Sequence, residues 1–172
     1  MERDTMNTTW TQPELFETAG HEHQLELVIV IPCSGDKKPG IFGDSGELMT
    51  AEERYTGQFH RYARQHAERL GATRIFTLSA AYGLIPPAAP VPDYEKKITD
   101  LDSIASTPGK IAHQALRFGL LDAGTLVVSL CPAAYSAELV RAIPTARLPL
   151  AGSRGIGEQR GRIARLTRQN LS

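Results

Sequence analysis

Cysteine is scarce in this chain. Cys33 and Cys131 are the only two among 172 residues, too few for a disulfide framework, and neither stands at zinc-ligand spacing from a second Cys or a His pair. Long apolar runs are absent too. The longest wholly apolar stretch, Leu27 to Ile31, falls far short of the roughly 20 residues of a membrane-spanning helix, and Met1-Glu2-Arg3-Asp4 opens without an apolar signal core. Net charge is missing as well: 19 Lys plus Arg meet 19 Asp plus Glu, which excludes a histone-like polybasic surface. These absences set the expectation of a cytoplasmic protein with no membrane partner, no metal centre and no cofactor.

What is present is an average globular composition, 41% apolar and 22% charged, at a length that suits one domain with a buried core. The neutrality hides an asymmetry. Residues 1–86 carry 8 basic and 12 acidic side chains, and residues 87–172 carry 11 and 7. The late excess is arginine: Arg154, Arg160, Arg162, Arg165 and Arg168 stand against Glu158 alone.

Residues 1–24 show no sustained periodicity and read as an N-terminal arm that docks, if at all, through Trp10, Leu15 and Phe16. Residues 25–172 read as one domain. Leu25 to Ile31 is almost wholly apolar and rich in β-branched residues, the pattern of a strand buried on both faces. Phe59, Tyr62, Ala63, His66, Ala67 and Leu70 recur at helical spacing, and Gly71 closes that helix. Further strands are expected at Arg74–Leu78, Leu126–Leu130 and Ala146–Leu150, and further helices at Pro108–Leu121, Pro132–Ile143 and Gly155–Leu171. On the last of these, Ile156, Ile163, Leu166 and Leu171 mark the buried side. The alternation predicts an α/β fold: a three-layer, Rossmann-like domain with a mostly parallel sheet of four or five strands and helices on both faces.

Ligands of open parallel sheets bind beyond the carboxyl ends of the strands, so the loops that follow each strand are where chemistry is expected. After the first come Pro32-Cys33-Ser34-Gly35-Asp36-Lys37-Lys38-Pro39. This loop offers a thiol, a hydroxyl, a carboxylate and two amines, and Gly35 admits a close backbone approach. Lys37 is the candidate anion ligand or amine nucleophile and Cys33 a candidate nucleophile, against the plainer reading of a solvated turn and a small buried thiol. The second loop is Ser79-Ala80-Ala81-Tyr82-Gly83-Leu84. The last, with Arg154 before Gly155-Ile156-Gly157, suggests an anion site at a helix start; its glycines do not make a dinucleotide fingerprint, because no acid follows about 20 residues later. His66 reads as a core histidine, and His21, His23, His60 and His113 form no triad.

Four blocks carry a resemblance: Ile31-Pro32-Cys33-Ser34-Gly35-Asp36-Lys37-Lys38, Arg54-Tyr55-Thr56-Gly57-Gln58-Phe59, Leu78-Ser79-Ala80-Ala81-Tyr82-Gly83-Leu84-Ile85-Pro86 and Pro92-Asp93-Tyr94-Glu95. In order and spacing they resemble a bacterial and phage family of small proteins of unknown function, related to the YaaA peroxide-stress proteins and more distantly to a domain of archaeosine synthase. The resemblance covers about residues 25–160. Tyr55-Thr56-Gly57, Leu78-Ser79 with Tyr82-Gly83, and Tyr94 match the YaaA blocks, although Asp93 separates Pro92 from Tyr94. Pro32, Cys33 and Lys37 resemble an archaeosine-synthase block, with Lys38 intervening before Pro39; the downstream Ser and His of that enzyme are not evident, so its amine transfer is not carried over. The resemblance implies DNA- or nucleobase-related work and a fold akin to uracil-DNA-glycosylase-like domains.

The resulting expectation is a pocket for a nucleobase, nucleoside or nucleotide, or for single-stranded or damaged DNA, with chemistry at the glycosidic bond or on the base. Tyr55, Tyr82 and Tyr94 would stack a base, Ser34 and Ser79 bond its edge, and Lys37 with Arg154 hold a phosphate. Asp36 or Asp93 would activate water, with Cys33 or Lys37 as nucleophile. Gly35, Lys38, Thr56, Gly57 and Gly83 complete the expected substrate-binding set. Two alternatives stand beside it: a non-catalytic DNA-binding stress protein that uses Lys37, Lys38 and the terminal arginines, and a small-anion sensor in the same pocket.

Overall fold

A computed structural model describes residues 25–39, 48–107 and 109–170. The expected arm over residues 1–24, with Trp10, Leu15 and Phe16, lies outside them. In chain order the strands are β1 (Glu26–Pro32), β2 (Met49–Thr50), β3 (Arg74–Ser79), β4 (Gly83–Ile85), β5 (Pro90–Val91) and β6 (Thr125–Ser129). The helices are α1 (Ala51–Arg54), α2 (Gln58–Arg69), α3 (Lys110–Arg117), α4 (Ala133–Ala142) and α5 (Ile156–Asn170).

Four strands form one sheet in the order β4-β3-β1-β6. β1 runs parallel to β3 (Val30 opposite Phe76) and to β6 (Val28 opposite Val127). β4 folds back antiparallel on β3, with Leu84 opposite Leu78. The fold is therefore α/β with a four-stranded, mostly parallel sheet.

β1 is central because it is apolar on both sides. Val28 and Val30 pack with Phe76, Leu78, Val127 and residues of α3 and α4, whereas Leu27, Ile29 and Ile31 pack with Ala63 and Ala67 of α2 and Ile163 and Leu166 of α5. The alternation follows from side chains pointing to opposite faces every residue. Val28 to Ile31 are wholly buried, each worth about 1.5–3 kcal/mol relative to exposure.

Three expectations need correction. Ala146–Leu150 is not a strand: Val128 and Arg147 form an isolated parallel bridge, and turns follow where a ladder would continue. The helix expected over Pro108–Leu121 stops at Arg117, where Gly119 takes φ +69°, a left-handed conformation that ends helices. Ile156 is 56% exposed, so the buried side of α5 is Gln159, Ile163, Leu166 and Thr167, and Leu171 lies outside the described residues.

A second, two-stranded ribbon pairs β2 with β5 antiparallel, Met49 opposite Val91. β5 forms inside the stretch holding Pro86, Pro87, Pro90 and Pro92, which sequence reads as loop, and β2 in a segment to which sequence assigns no element. Pro90 is tolerated because a two-stranded edge asks little of its missing N–H.

Candidate functional site

Because β1, β3 and β6 are parallel, their carboxyl ends lie along one edge of the sheet, and the segments that follow them are neighbours. Cys33 N–H donates to Leu78 O at 3.0 Å and Leu130 N–H to Val30 O at 2.8 Å. The four-residue helix α1 adds Arg54 and Tyr55. It starts with a capping box, in which Thr50 Oγ1 accepts from Glu53 N–H and the Glu53 carboxylate accepts from Thr50 N–H, a reciprocal satisfaction of two otherwise unpaired donors. Lys37 then bridges Tyr55 in antiparallel fashion, and Lys38 N–H donates to Arg54 O at 2.7 Å.

Tyr94 sits at the centre of this edge. Its hydroxyl lies 2.7 Å from Tyr55 Oη and 2.7 Å from Ser79 Oγ. Its ring meets Tyr82 edge-on at 5.1 Å and Tyr55 edge-on at 6.5 Å between centroids. Lys37 Nζ stands over it, 4.4 Å from the centroid, a cation–π contact. The Lys37 side chain is only 5% exposed, and its ammonium has Gly35 O at 3.3 Å and the exposed carboxylate of Glu95 at 3.9 Å. An ammonium offers three donors; among the described residues it has one carbonyl and one distant, solvated carboxylate, few partners for a side chain so withdrawn from solvent.

Cys33 reaches this cluster from the end of β1, packing beside Tyr55 and Tyr94. Its sulfur lies 3.3 Å from Tyr135 Oη, contributed by the first turn of α4. Burial pushes the Tyr55 phenol up to about 12, and burial first, then the nearby Cys33, pushes Tyr94 and Tyr135 up as well. All three phenols are therefore neutral donors at physiological pH, not bases.

Lys37, Cys33, Ser79, Tyr55, Tyr82 and Tyr94 thus come together. Tyr55, however, is 2% exposed, which makes it core support and not a stacking face, and the edge-on geometry of the three rings is not a flat wall. Tyr82 is 36% exposed and keeps a face for a ligand. Ser34 is spent on its own loop: its hydroxyl donates to Asp36 O and accepts from Gly57 N–H at 3.1 Å. Thr56 N–H donates to Asp36 O at 3.0 Å. Gly57 is required there, since a Cβ would stand 2.5 Å from Ser34 Cβ. Gly35, Asp36, Lys38 and Asp93 are exposed. Gly83, at φ +76°, opens β4 directly after Tyr82.

Arg154 differs from expectation. It is exposed, and its backbone N–H donates to Glu158 Oε2 at 2.9 Å; Arg162 pairs with the other Glu158 oxygen at 2.6 Å. The protein's own carboxylate occupies the place where an external anion was expected, and these bonds hold Glu158 below the usual carboxylate range. Arg160 turns inward over the Tyr62 ring, at 5.3 Å.

Sequence reasoning misses Tyr135, His60 and Arg54 as site residues. Tyr135 had a usable signal, standing three residues beyond Pro132 in the helix that leaves a parallel strand. His60 is 2% exposed and lies 5.4 Å from the Tyr55 ring. Its Nδ1 is 2.7 Å from Pro32 O, which only accepts, so Nδ1 carries the proton. Nε2 is buried with no hydrogen-bond partner among the described residues. His66 is a core histidine, as expected: its Nδ1 lies 2.6 Å from Thr167 Oγ1, which donates in turn to Ile163 O at 3.0 Å.

Burial lowers the proton affinity of both histidines below the usual value of 6.5. The unfolded chain therefore binds more protons than the folded one as pH falls below about 6.5, and stability present above that pH is lost. Each tenfold weakening of proton affinity is worth about 1.4 kcal/mol. Urea midpoints measured from pH 7.5 to 5 are expected to fall, and to fall less steeply in His60→Asn, which keeps a donor for Pro32 O. An unchanged slope would remove His60 from the account.

Taken together these features define a class: a small α/β domain with a polar cluster at the carboxyl ends of a mostly parallel sheet, built from a lysine, neutral phenols and a thiol. Residues 28–165 match the model of DUF6884, described as a family of unknown function, and the chain belongs to that family. No curated protein and no solved structure matches it. A relationship to YaaA proteins or archaeosine synthase is not among these matches. Among the described residues no helix is long and apolar enough to cross a membrane, and no group of His, Cys, Asp and Glu is placed to hold a metal ion.

Proposed function

We propose that this protein binds a nucleobase-bearing anion, a nucleotide or a modified relative of one, at the edge formed by Lys37, Tyr82 and Tyr94. One observation carries the reading: a lysine whose side chain is 5% exposed, with its ammonium held over Tyr94 and, among the described residues, only one carbonyl and one solvated carboxylate as partners. Burying a charge so sparsely is costly, and an incoming phosphate or carboxylate offsets that cost. The partly exposed Tyr82 ring beside it supplies a surface for a planar base. Helices on both faces of the sheet support the further reading of a three-layer, Rossmann-like domain, in which this edge is the usual ligand position. The four sequence blocks that resemble YaaA proteins fall on this same edge and favour nucleobase-related work.

If the site also turns over its ligand, Cys33 is the nucleophile, since its thiol touches Tyr135 and borders the cluster, and the neutral phenols serve as proton donors. Asp36 and Asp93 are exposed carboxylates at the rim, where either can activate water.

The test is a calorimetric titration with bases, nucleosides and nucleotides. Nucleotides are expected to bind, nucleosides to bind more weakly, and Lys37→Met to weaken nucleotide binding about tenfold or more, the loss of a contact to a charged group. Nucleotides binding no better than inorganic phosphate, or steeply salt-sensitive DNA binding with no affinity for any free nucleotide, would overturn the reading.

A further inference from the structure

The hydroxyl chain Ser79–Tyr94–Tyr55 has a direction that the backbone imposes. Ser79 Oγ lies 3.1 Å from both Ala81 N and Tyr82 N. Both N–H groups donate, so the two acceptor positions of the serine oxygen are filled. Its single proton therefore goes to a phenol, and Tyr94 Oη, at 2.7 Å, is the one in direct hydrogen-bond contact. The 2.7 Å contact between Tyr94 and Tyr55 uses one phenolic proton. Two phenols bring two, and one is left over.

Burial decides whose it is. Tyr55 is 2% exposed, and a donor left unpaired there would cost about 1–3 kcal/mol. If Tyr55 donates to Tyr94, the Tyr94 oxygen accepts twice and its own proton is free, on a residue that is only partly buried and lies under Lys37. That arrangement places a neutral O–H beside an ammonium whose partners among the described residues are Gly35 O and the solvated Glu95 carboxylate, neither of which bonds the phenol.

We infer that Tyr94 is the hydrogen-bond donor that reads an oxyanion of the ligand, paired with Lys37 and aimed by Ser79 and the two turn amides. The ligand group is an anionic oxygen, a phosphoryl or a carboxylate, and the phenol supplies direction where the ammonium supplies charge. Ser79 acts as a positioning residue. The inference rests on the proposed anion site, but it assigns Tyr94 a role other than a stacking surface.

The experiment titrates the full chain, its Tyr94→Phe variant, and a version with 3-fluorotyrosine at position 94, using inorganic phosphate, acetate and adenosine monophosphate as probes. Fluorination acidifies the phenol and strengthens it as a donor, a change to which a packing role is indifferent. Oxyanion affinity is expected to fall about tenfold or more in Tyr94→Phe and to rise with 3-fluorotyrosine. Acetate and phosphate separate the two sources of the oxyanion. Equal affinity in all three proteins, or no oxyanion binding by the unaltered chain, overturns the inference. Phosphate or acetate binding that needs Tyr94, with adenosine monophosphate no tighter than phosphate, keeps this inference and ends the nucleotide reading.

Discussion

Replacing Arg54 by methionine is expected to cost about 2–4 kcal/mol of folding stability and, with it, most of the ligand affinity. Arg54 is wholly buried, donates from Nε to Val91 O at 3.2 Å and from Nη1 to Lys38 O at 2.7 Å. Each hydrogen bond from a charged donor is worth about 1.5–3 kcal/mol, and its loss leaves a carbonyl unsatisfied. Methionine, of similar length, removes the cost of burying the guanidinium, which offsets part of that loss. The residual penalty is large against the roughly 5–15 kcal/mol that holds a domain folded. Arg54→Lys is expected to cost at least as much, because the ammonium stays charged and buried but lacks the fork that spans two carbonyls. Urea midpoints at unchanged slope measure both. A methionine variant within 0.5 kcal/mol of the parent, roughly the scatter of a surface change, would refute the strut role.

The functional consequence follows from what the two carbonyls belong to. Lys38 adjoins Lys37, and Val91 ends the β5 strand that leads into Tyr94. One guanidinium therefore ties together the two segments that carry the ammonium and the phenol of the candidate site. Without it, each segment keeps its own local bonds, but the 4.4 Å separation of Lys37 from the Tyr94 ring loses its common anchor.

This organisation was partly legible in the sequence. β1 declared itself by being apolar at consecutive positions, and α2 by its apolar spacing and the glycine that closes it. Lys37, Ser79, Tyr82 and Tyr94 were legible as polar residues in loops after strands, where parallel sheets place their ligands. The rest depended on contacts distant in sequence. Ala146–Leu150 has strand-like composition, yet it bridges β6 at one position only. β4 begins in the loop expected after β3 and β5 lies in a proline-rich stretch, and they exist because β3 and β2 offer them partners. Tyr55 looks like a candidate stacking ring by type; only burial assigns it to the core. Arg54 and His60 carry no local sign of being buried, since an arginine after two glutamates and a histidine in an amphipathic helix are ordinary surface patterns.

Gly83→Ala is the second substitution expected to be severe, at about 2–4 kcal/mol. Gly83 has φ +76°, where a Cβ costs about 1–2 kcal/mol, and an added Cβ would stand 2.2 Å from Gln114 Oε1. Gln114 is flexible and able to retreat, but its amide clamps the turn: Oε1 accepts from Leu84 N–H at 2.9 Å and Nε2 donates to Tyr82 O at 2.8 Å. Retreat forfeits both bonds, about 1 kcal/mol each. A double-mutant cycle separates the two costs. In a Gln114→Ala background the clash and the clamp are already gone, so Gly83→Ala is expected to cost only the backbone strain, about half its effect in the parent. Equal costs in the two backgrounds would show that Gln114 does not hold the turn. Because Tyr82 and the amides that fix Ser79 sit on this same turn, the clamp from α3 also sets the direction of the hydroxyl chain. Both single variants are therefore expected to weaken oxyanion binding under conditions in which each remains folded, through a residue that meets the site at the Tyr82 backbone carbonyl.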